Sequence, residues 1–286
     1  MGLSPAIFTM QNLSDLQQLA NSLAVTDKMP ALFLGHGSPM NAIEENQFTK
    51  SFREVAKSIQ PAPRAIICVS AHWFTKGTRV TAVNMPKTIH DFYGFPQELF
   101  KVQYPAPGHP ALAQETAQLL GDYHATLDHE WGLDHGAWSV IKHMYPEANI
   151  PVLQLSIDST KPAPYHYELA TRLKALRHKG ILIIGSGNIV HNLRMIDWAN
   201  MNKDDYGYDW AAEVRTAVNR CILDHDYQPL LNHHKQGSAW ANAIPTPDHF
   251  LPLIYTLGMQ DKGEAPSLFN DKLLGGSISM TSVLVH

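Results

Sequence analysis

Cysteine is scarce in this chain of 286 residues, which contains only Cys68 and Cys221. Two cysteines without CxxC spacing build neither a disulfide framework nor a thiolate zinc site, and such usage suits a reducing compartment. A basic excess is also missing, since 22 lysines and arginines face 26 acidic residues and leave a net charge of −4. Nucleic acid and anionic membranes are therefore not expected as main partners.

Long apolar runs are absent as well. No stretch reaches the roughly 18 apolar residues of a transmembrane helix, and the first 27 residues lack the pattern of a signal peptide. We therefore expect a cytoplasmic protein. Residues 1–28, with a short amphipathic helix predicted over 13–25, are expected to form an N-terminal extension, and residues 29–286 a single catalytic domain.

Apolar runs and helical patterns alternate from residue 31 onward. Strands are predicted over 31–34, 65–69, 80–83, 151–157, 181–184 and 277–285, and helices over 48–59, 110–120, 165–178 and 209–223. This alternation is typical of βα units. We predict one α/β domain with a mainly parallel or mixed central sheet flanked by helices, its last strand antiparallel at the sheet edge.

Histidine, in contrast, is abundant, with 16 residues. It is the commonest metal ligand and the usual acid or base near neutral pH. Three predicted strands run into His36, His72 and His191. Because strand carboxyl ends line one crevice in an open α/β sheet, these side chains should converge there and form a metal site. His249 can face the same crevice, because Thr246 and the following proline predict a helix start, while Pro252 indicates that the helix is kinked or starts later.

Several other residues are weaker candidates. His135 follows Asp134 in a glycine-flanked segment that we interpret as a loop presenting an imidazole, and His90 lies in an aromatic loop. Carboxylates near histidines orient imidazoles in many metal sites. The candidates for this role are Asp134, Asp158 and Asp248, and the alternative for each is a helix cap or a turn residue. Aromatic candidates for the walls of a substrate pocket are Trp73, Phe92, Tyr93 and Phe95.

Coordination by imidazoles without cysteine indicates zinc, iron or copper rather than magnesium or calcium, which prefer oxygen ligands. The pattern does not separate iron from zinc. A divalent metal with neutral ligands keeps its full charge and favours an anionic partner. A deprotonated ortho-diphenol that chelates through both oxygens is one apt choice.

A set of motifs extends from Met29 almost to the end of the chain. They are MPALFLGHGSPM from residue 29, SAHW from 70, TIHDF from 88, YPAPG from 104, LDHG from 133, QLSID from 154, GSGNIVHNLR from 185 and PTPDH from 245. As a set they resemble the 4,5-DOPA extradiol dioxygenase family, a branch of the class III extradiol ring-cleavage dioxygenases.

The resemblance implies a single metal bound by His36, His72, His191 and His249, and no separate organic cofactor. It implies cleavage of a catechol such as L-DOPA with O2 to a muconic semialdehyde, with His191 and His135 as acid or base. Zinc is the expected bound ion. Because zinc has no redox chemistry, we expect Fe2+ to be required for turnover.

Two questions stay open at the level of sequence. His191 is either the fourth ligand or an acid/base group. The segment Gly35–Ser38 also occurs in metal chelatases, so a class II-like metal chelatase or a zinc hydrolase is the alternative function. The expected partners are a small catechol and O2, and the expected assembly is a monomer or small homo-oligomer.

Overall fold

A mixed eight-stranded sheet forms the centre of the computed structural model, which describes residues 28–286. The predicted helix over 13–25 lies outside the described residues. The strands are β1 Ala31–Gly35, β2 Ala65–Thr75, β3 Arg79–Thr81, β4 Thr126–Asp128, β5 Val152–Asp158, β6 Ile181–Gly187, β7 Pro266–Phe269, β8 Leu273–Leu274, β9 Ile278–Ser279 and β10 Ser282–Val285. Their order in the main sheet is β4-β3-β5-β2-β6-β1-β10-β7, and β8 and β9 pair separately.

Helices connect and cover the strands. The α-helices are α1 Gln47–Ser58, α2 Gln97–Phe100, α3 Pro110–Leu119, α4 His135–Met144, α5 Ala163–Arg177, α6 Asp209–Leu223, α7 Gln228–Leu231, α8 Ser238–Ala243 and α9 Leu251–Gly258. Short 3-10 helices span Pro39–Ala42, Gly121–Tyr123, Leu193–Met195, Trp198–Asn200 and His233–Lys235. Within residues 28–286, none of the helices has the length and apolar character needed to cross a membrane.

The predicted α/β class with a mixed sheet is confirmed. Strands β5, β2, β6 and β1 are parallel neighbours, whereas β10 and β7 add antiparallel pairs at one side. The prediction of β10 as the edge strand was wrong, because the short strand β7 pairs outside it. Neither β7 nor the opposite edge strand β4 was predicted, since three or four residues carry little periodicity.

Apolar side chains cover both faces of the central strands. Strand β1 alternates between them: Phe33 packs in the core on one face, and Leu32 and Leu34 in the core on the other. All five residues of β1 are buried. A continuous apolar run is what a parallel strand covered on both faces requires.

A buried ion pair lies beside the amino end of β1. Arg177, fully buried at the end of α5, donates to the carbonyl oxygens of Met29 at 2.8 Å and Met259 at 2.7 Å. Its Nη1 also donates to Oε2 of Glu264 at 2.9 Å, and Lys28 Nζ lies 2.8 Å from Oε1. Burial alone would raise the pKa of Glu264, but these donors lower it to about 2.

Candidate active site

Five histidine side chains converge at the carboxyl edge of the sheet. The ring centroids of His36 and His72 are 5.1 Å apart, and that of His249 lies 5.3 Å from His36 and 4.9 Å from His72. His135 lies 3.8 Å from His72, and His191 stacks on His249 at 3.5 Å. The convergence expected for strand-end histidines is therefore present, with His135 as an additional member.

His36 directly follows β1, and its backbone N–H donates to the carbonyl oxygen of Gly187 at 3.1 Å. Its Nδ1 lies 3.1 Å from Ser186 Oγ, whose hydroxyl donates to the carbonyl oxygen of Gly136 at 2.5 Å. Since that proton is already used, the serine oxygen accepts from His36, and we assign the imidazole proton to Nδ1. Nε2 of His36 is then free to bind a cation.

His72 lies within β2, not after its end, because the register with β5 shifts between Val69 and Phe74 and the strand continues. Its Nε2 lies 3.2 Å from Nε2 of His36. Burial, followed by the neighbouring histidines, lowers the pKa of both imidazoles well below the usual range. A neutral imidazole with its proton on Nδ1 presents a lone pair at Nε2. With the His36 proton on Nδ1, its Nε2 is an acceptor, and at this distance it either accepts an N–H from Nε2 of His72 or shares a cation with a lone pair on that nitrogen.

His135 is the first residue of α4, so the loop predicted here was wrong. Asp134 is the N-cap, because its carboxylate accepts the backbone N–H of Ala137 at 3.1 Å. The same buried carboxylate accepts the Ser70 hydroxyl at 2.6 Å and the Gln154 side-chain amide at 2.6 Å. It therefore joins the start of the helix to β2 and brings His135 to its place, rather than contacting the imidazole.

His249 lies two residues before α9, which begins at Leu251 and not at the predicted position after Thr246. Pro252 sets this start, since the first turn is where proline fits a helix. The carboxylate of Asp248 pairs with Nδ1 of His249, as predicted for that aspartate. Nε2 of His249 is buried and has no hydrogen-bond partner, which is costly unless a ligand is bound.

His191 follows β6 and is held by its backbone N–H, which donates to the carbonyl oxygen of Ala243 at 2.9 Å. Its ring is almost parallel to that of His249, with an angle of 8° between the planes. Burial, and then His249, lowers the pKa of His191 to about 2. The side chain is therefore neutral at physiological pH.

Two glycines permit the close packing of these segments. A Cβ on Gly136 would lie 2.5 Å from Ser70 Oγ and 2.8 Å from Cδ2 of His72. A Cβ on Gly187 would overlap the carbonyl oxygen of His249. Any larger residue at either position would displace an imidazole of the cluster.

Sequence analysis missed Asp91, which contacts two of the imidazoles. Its Oδ1 lies 3.0 Å from Nδ1 of His135, and its Oδ2 lies 3.5 Å from Nδ1 of His72. The residue is next to His90 in the TIHDF motif, which was the available signal. His90 itself lies outside the cluster, with Nε2 2.9 Å from the carbonyl oxygen of Val102.

The other predicted residues divide between the site and the rest of the molecule. Phe92 meets the ring of His135 edge to face at 5.5 Å, and Phe95 packs against Phe92. Tyr93 is 92% exposed, and Trp73 stacks on Trp131 in the core. Asp158 caps a turn, where it accepts from the backbone and hydroxyl of Thr160. The contacts of Tyr93, Trp73 and Asp158 therefore lie outside the histidine cluster.

The cluster fits a transition-metal ion. One possible ligand atom each from His36, His72 and His135 lies within 4.8 Å of the others, and His249 adds a buried, unpartnered Nε2. All are imidazole nitrogen donors, a set that suits zinc, iron or copper.

Comparison with known proteins identifies the family. Residues 30–276 match the catalytic LigB subunit of aromatic ring-opening dioxygenase, and the chain belongs to this family. It is an oxidoreductase of the ring-cleaving dioxygenase class, which confirms the resemblance seen in the motifs.

Individual relatives agree with this assignment. A 4,5-DOPA dioxygenase extradiol of Escherichia coli K12 is 48% identical, over 90% of this chain and 95% of the relative. A protein of the same name from Beta vulgaris is 36% identical, over 87% and 94%. The crystal structure of an uncharacterized protein from Escherichia coli K12 covers 91% of this chain and 100% of its own, with 44% identity and a TM-score of 0.77.

Proposed function

We propose that this protein is a metal-dependent extradiol dioxygenase that opens catechols such as L-DOPA by 4,5-cleavage with O2 to a muconic semialdehyde. The observation that carries the proposal is the 3.2 Å approach of Nε2 of His36 to Nε2 of His72 within a group of five converging imidazoles. The names of relatives that align over most of the chain support the substrate class.

We propose His36, His72 and His249 as the metal ligands. Each has a polar group close to Nδ1, which directs the Nε2 lone pair toward the centre of the cluster. Zinc is the proposed resting ion and Fe2+ the active one. Bound iron would supply the electron transfer that a reaction with O2 needs and zinc lacks.

His191 acts as an acid/base group rather than as a fourth ligand in this proposal. The rings of His191 and His249 stack face to face at 3.5 Å, so these two imidazoles pack against each other, whereas His36 and His72 bring their Nε2 atoms to within 3.2 Å. As a neutral base, His191 accepts a phenolic proton from the substrate.

His135 serves as the second group that handles protons. With the carboxylate of Asp91 beside Nδ1, its proton is held there, and Nε2 is the atom that accepts or returns one. The edge-to-face contact of Phe92 holds this imidazole from one side. The same phenyl group offers an apolar surface to an aromatic substrate.

Oxygen uptake tests the proposal. Protein stripped of metal and reloaded separately with Fe2+ and Zn2+ is given L-DOPA or catechol, while the visible absorption of the ring-opened semialdehyde is followed. We expect uptake and colour with iron and neither with zinc. Absence of uptake with both metals would overturn the dioxygenase proposal and favour the chelatase or hydrolase alternative, neither of which consumes oxygen. The cytoplasmic location and the assembly as monomer or small homo-oligomer stay predictions.

A further inference from the structure

We propose that Asp91 is a positioning residue that serves two imidazoles at once, holding the proton of both His72 and His135 on Nδ1. The inference rests on the proposed metal centre, because it concerns which nitrogen of His72 is available to a metal. Asp91 would thus connect a metal ligand to a group that handles substrate protons.

The two carboxylate oxygens of Asp91 have separate partners. Oδ1 accepts the backbone N–H of His135 at 2.9 Å and lies 3.0 Å from Nδ1 of the same residue, close enough to attract a proton there although the two are not aligned as a hydrogen bond. Oδ2 faces Nδ1 of His72 at the longer distance of 3.5 Å. The Asp91 side chain is only 21% exposed, so water competes weakly for either oxygen.

A carboxylate is an acceptor only, so an imidazole nitrogen that faces it is favoured in the N–H form. For His72 this leaves the lone pair on Nε2, the atom that lies 3.2 Å from Nε2 of His36. Carboxylates that fix the tautomer of a metal-binding histidine in this way contribute about 10- to 100-fold to metal affinity.

Asparagine at position 91 separates this role from mere packing. The backbone N–H of His135 needs an acceptor, so the amide oxygen of the substituted side chain would occupy the place of Oδ1. The amide nitrogen, a donor, would then face Nδ1 of His72 and favour the opposite tautomer, with the proton on Nε2. D91N should therefore impair metal binding at least as strongly as D91A, although it is the closer match in shape.

The experiment compares wild type, D91N, D91A and D91E, all free of metal and labelled with 15N histidine. Long-range 1H–15N NMR assigns the tautomers of His72 and His135, and competition with a chromophoric chelator measures Zn2+ affinity. We expect Nδ1–H for both residues in wild type and an Nε2–H signal for His72 in D91N. Zn2+ affinity should fall by about 10- to 100-fold in D91N and recover partly in D91E.

D158N is the matched control, since Asp158 ends β5 and its carboxylate accepts hydrogen bonds from Thr160 rather than from an imidazole. It should leave both the tautomers and the Zn2+ affinity unchanged. An Nε2–H form of His72 in metal-free wild type would overturn the inference without any variant, and so would wild-type Zn2+ affinity in D91N. A wild-type protein that shows the Nδ1–H tautomers but binds neither Zn2+ nor Fe2+ would instead contradict the proposed function.

Discussion

A buried polar cluster lies at each end of β1, and the two clusters differ in how many of their polar groups have a hydrogen-bond or ion-pair partner. At the amino end, Arg177 has two carbonyl oxygens and the carboxylate of Glu264 as acceptors, so its charge is balanced inside the fold. At the carboxyl end, Nε2 of His36 faces Nε2 of His72, and Nε2 of His249 has no partner. Buried polar groups that are fully paired stabilise a fold, whereas unpaired ones indicate a missing ligand.

The largest effect is expected from removing a proposed ligand. H36A and H249A should lower metal affinity by more than about 100-fold, beyond the effect of losing an outer partner, and activity should fall to that of metal-free protein. H135A should retain the metal and lose turnover, because it removes a group that handles protons. Metal content after dialysis and oxygen uptake measure both.

H129A is the control for these variants, since His129 is exposed and distant in sequence from every ligand. It should bind metal and turn over like wild type. If H135A released the metal while H249A kept it, the ligand set proposed above would have to be replaced by His36, His72 and His135.

The substitution Arg177→Met disrupts the fully paired cluster at the amino end of β1. Removing one partner of a buried ion pair costs about 3–5 kcal/mol. The substitution leaves Glu264 with Lys28 as its remaining cationic partner and deprives the carbonyl oxygens of Met29 and Met259 of their donor. Urea denaturation should show this loss in metal-free protein, with unchanged metal affinity in the molecules that remain folded. Partial recovery in the double variant R177M/E264Q would confirm the pairing, and a loss under about 1 kcal/mol in R177M would contradict it.

Acid should affect the two clusters in different ranges of pH. The folded-state pKa values of His36, His72 and His191 are all lowered, the last to about 2, chiefly by burial. The unfolded chain therefore binds more protons once the pH falls below the usual histidine value of about 6.5, and stability decreases from there. Each histidine contributes at most about 1.4 kcal/mol per pH unit.

Glu264 changes the pH dependence of stability only at lower pH. Its pKa of about 2 lies below the unfolded value of 4.5, so its contribution is fully present above 4.5 and is lost as the pH falls toward 2. Urea denaturation of metal-free wild type and E264Q between pH 8 and 3 measures both ranges. The two curves should run parallel between pH 6.5 and 5, with E264Q the less stable, and approach each other below 4.5, where only wild type loses the contribution of Glu264. A wild-type curve that is flat from pH 6.5 to 5 would contradict the histidine assignment.

The smallest effect is expected for Arg172→Met, on the same helix as Arg177. Its guanidinium lies 3.4 Å from the carboxylate of Asp122, and the two side chains are 54% and 82% exposed. An exposed pair of this kind contributes about 0–1 kcal/mol. Urea denaturation should show that R172M loses no more than this amount of unfolding free energy. A loss as large as that of R177M would show that burial does not explain why one ion pair stabilises the fold more than the other.

Sequence periodicity predicted the part of the site that depends on strands. The apolar run before Gly35 indicated that His36 follows a buried strand, and the second run indicated that His72 lies on a neighbouring one. Their convergence then followed from the parallel arrangement. The ends of the strands were predicted less accurately, since a register shift lets β2 continue past His72.

What sequence could not predict depends on contacts between distant segments. Asp91 lies in an aromatic loop without periodicity, and only its distance to His72 and His135 reveals a role. Conversely, Asp158 is chemically equivalent but turns out to cap its own turn. The helix start at His135 was hidden because its cap, Asp134, was interpreted as a partner of the imidazole.

The five imidazoles come from separate segments that extend from residue 36 to residue 249, which has a consequence for folding kinetics. Most of the chain must close into loops before these side chains meet, and contacts so distant in sequence form late and slowly. The unfolded chain does not hold these ligands together, so a metal ion at the proposed site would bind the native state preferentially and add its binding free energy to stability. The rate of metal uptake during refolding therefore measures the last stage of folding.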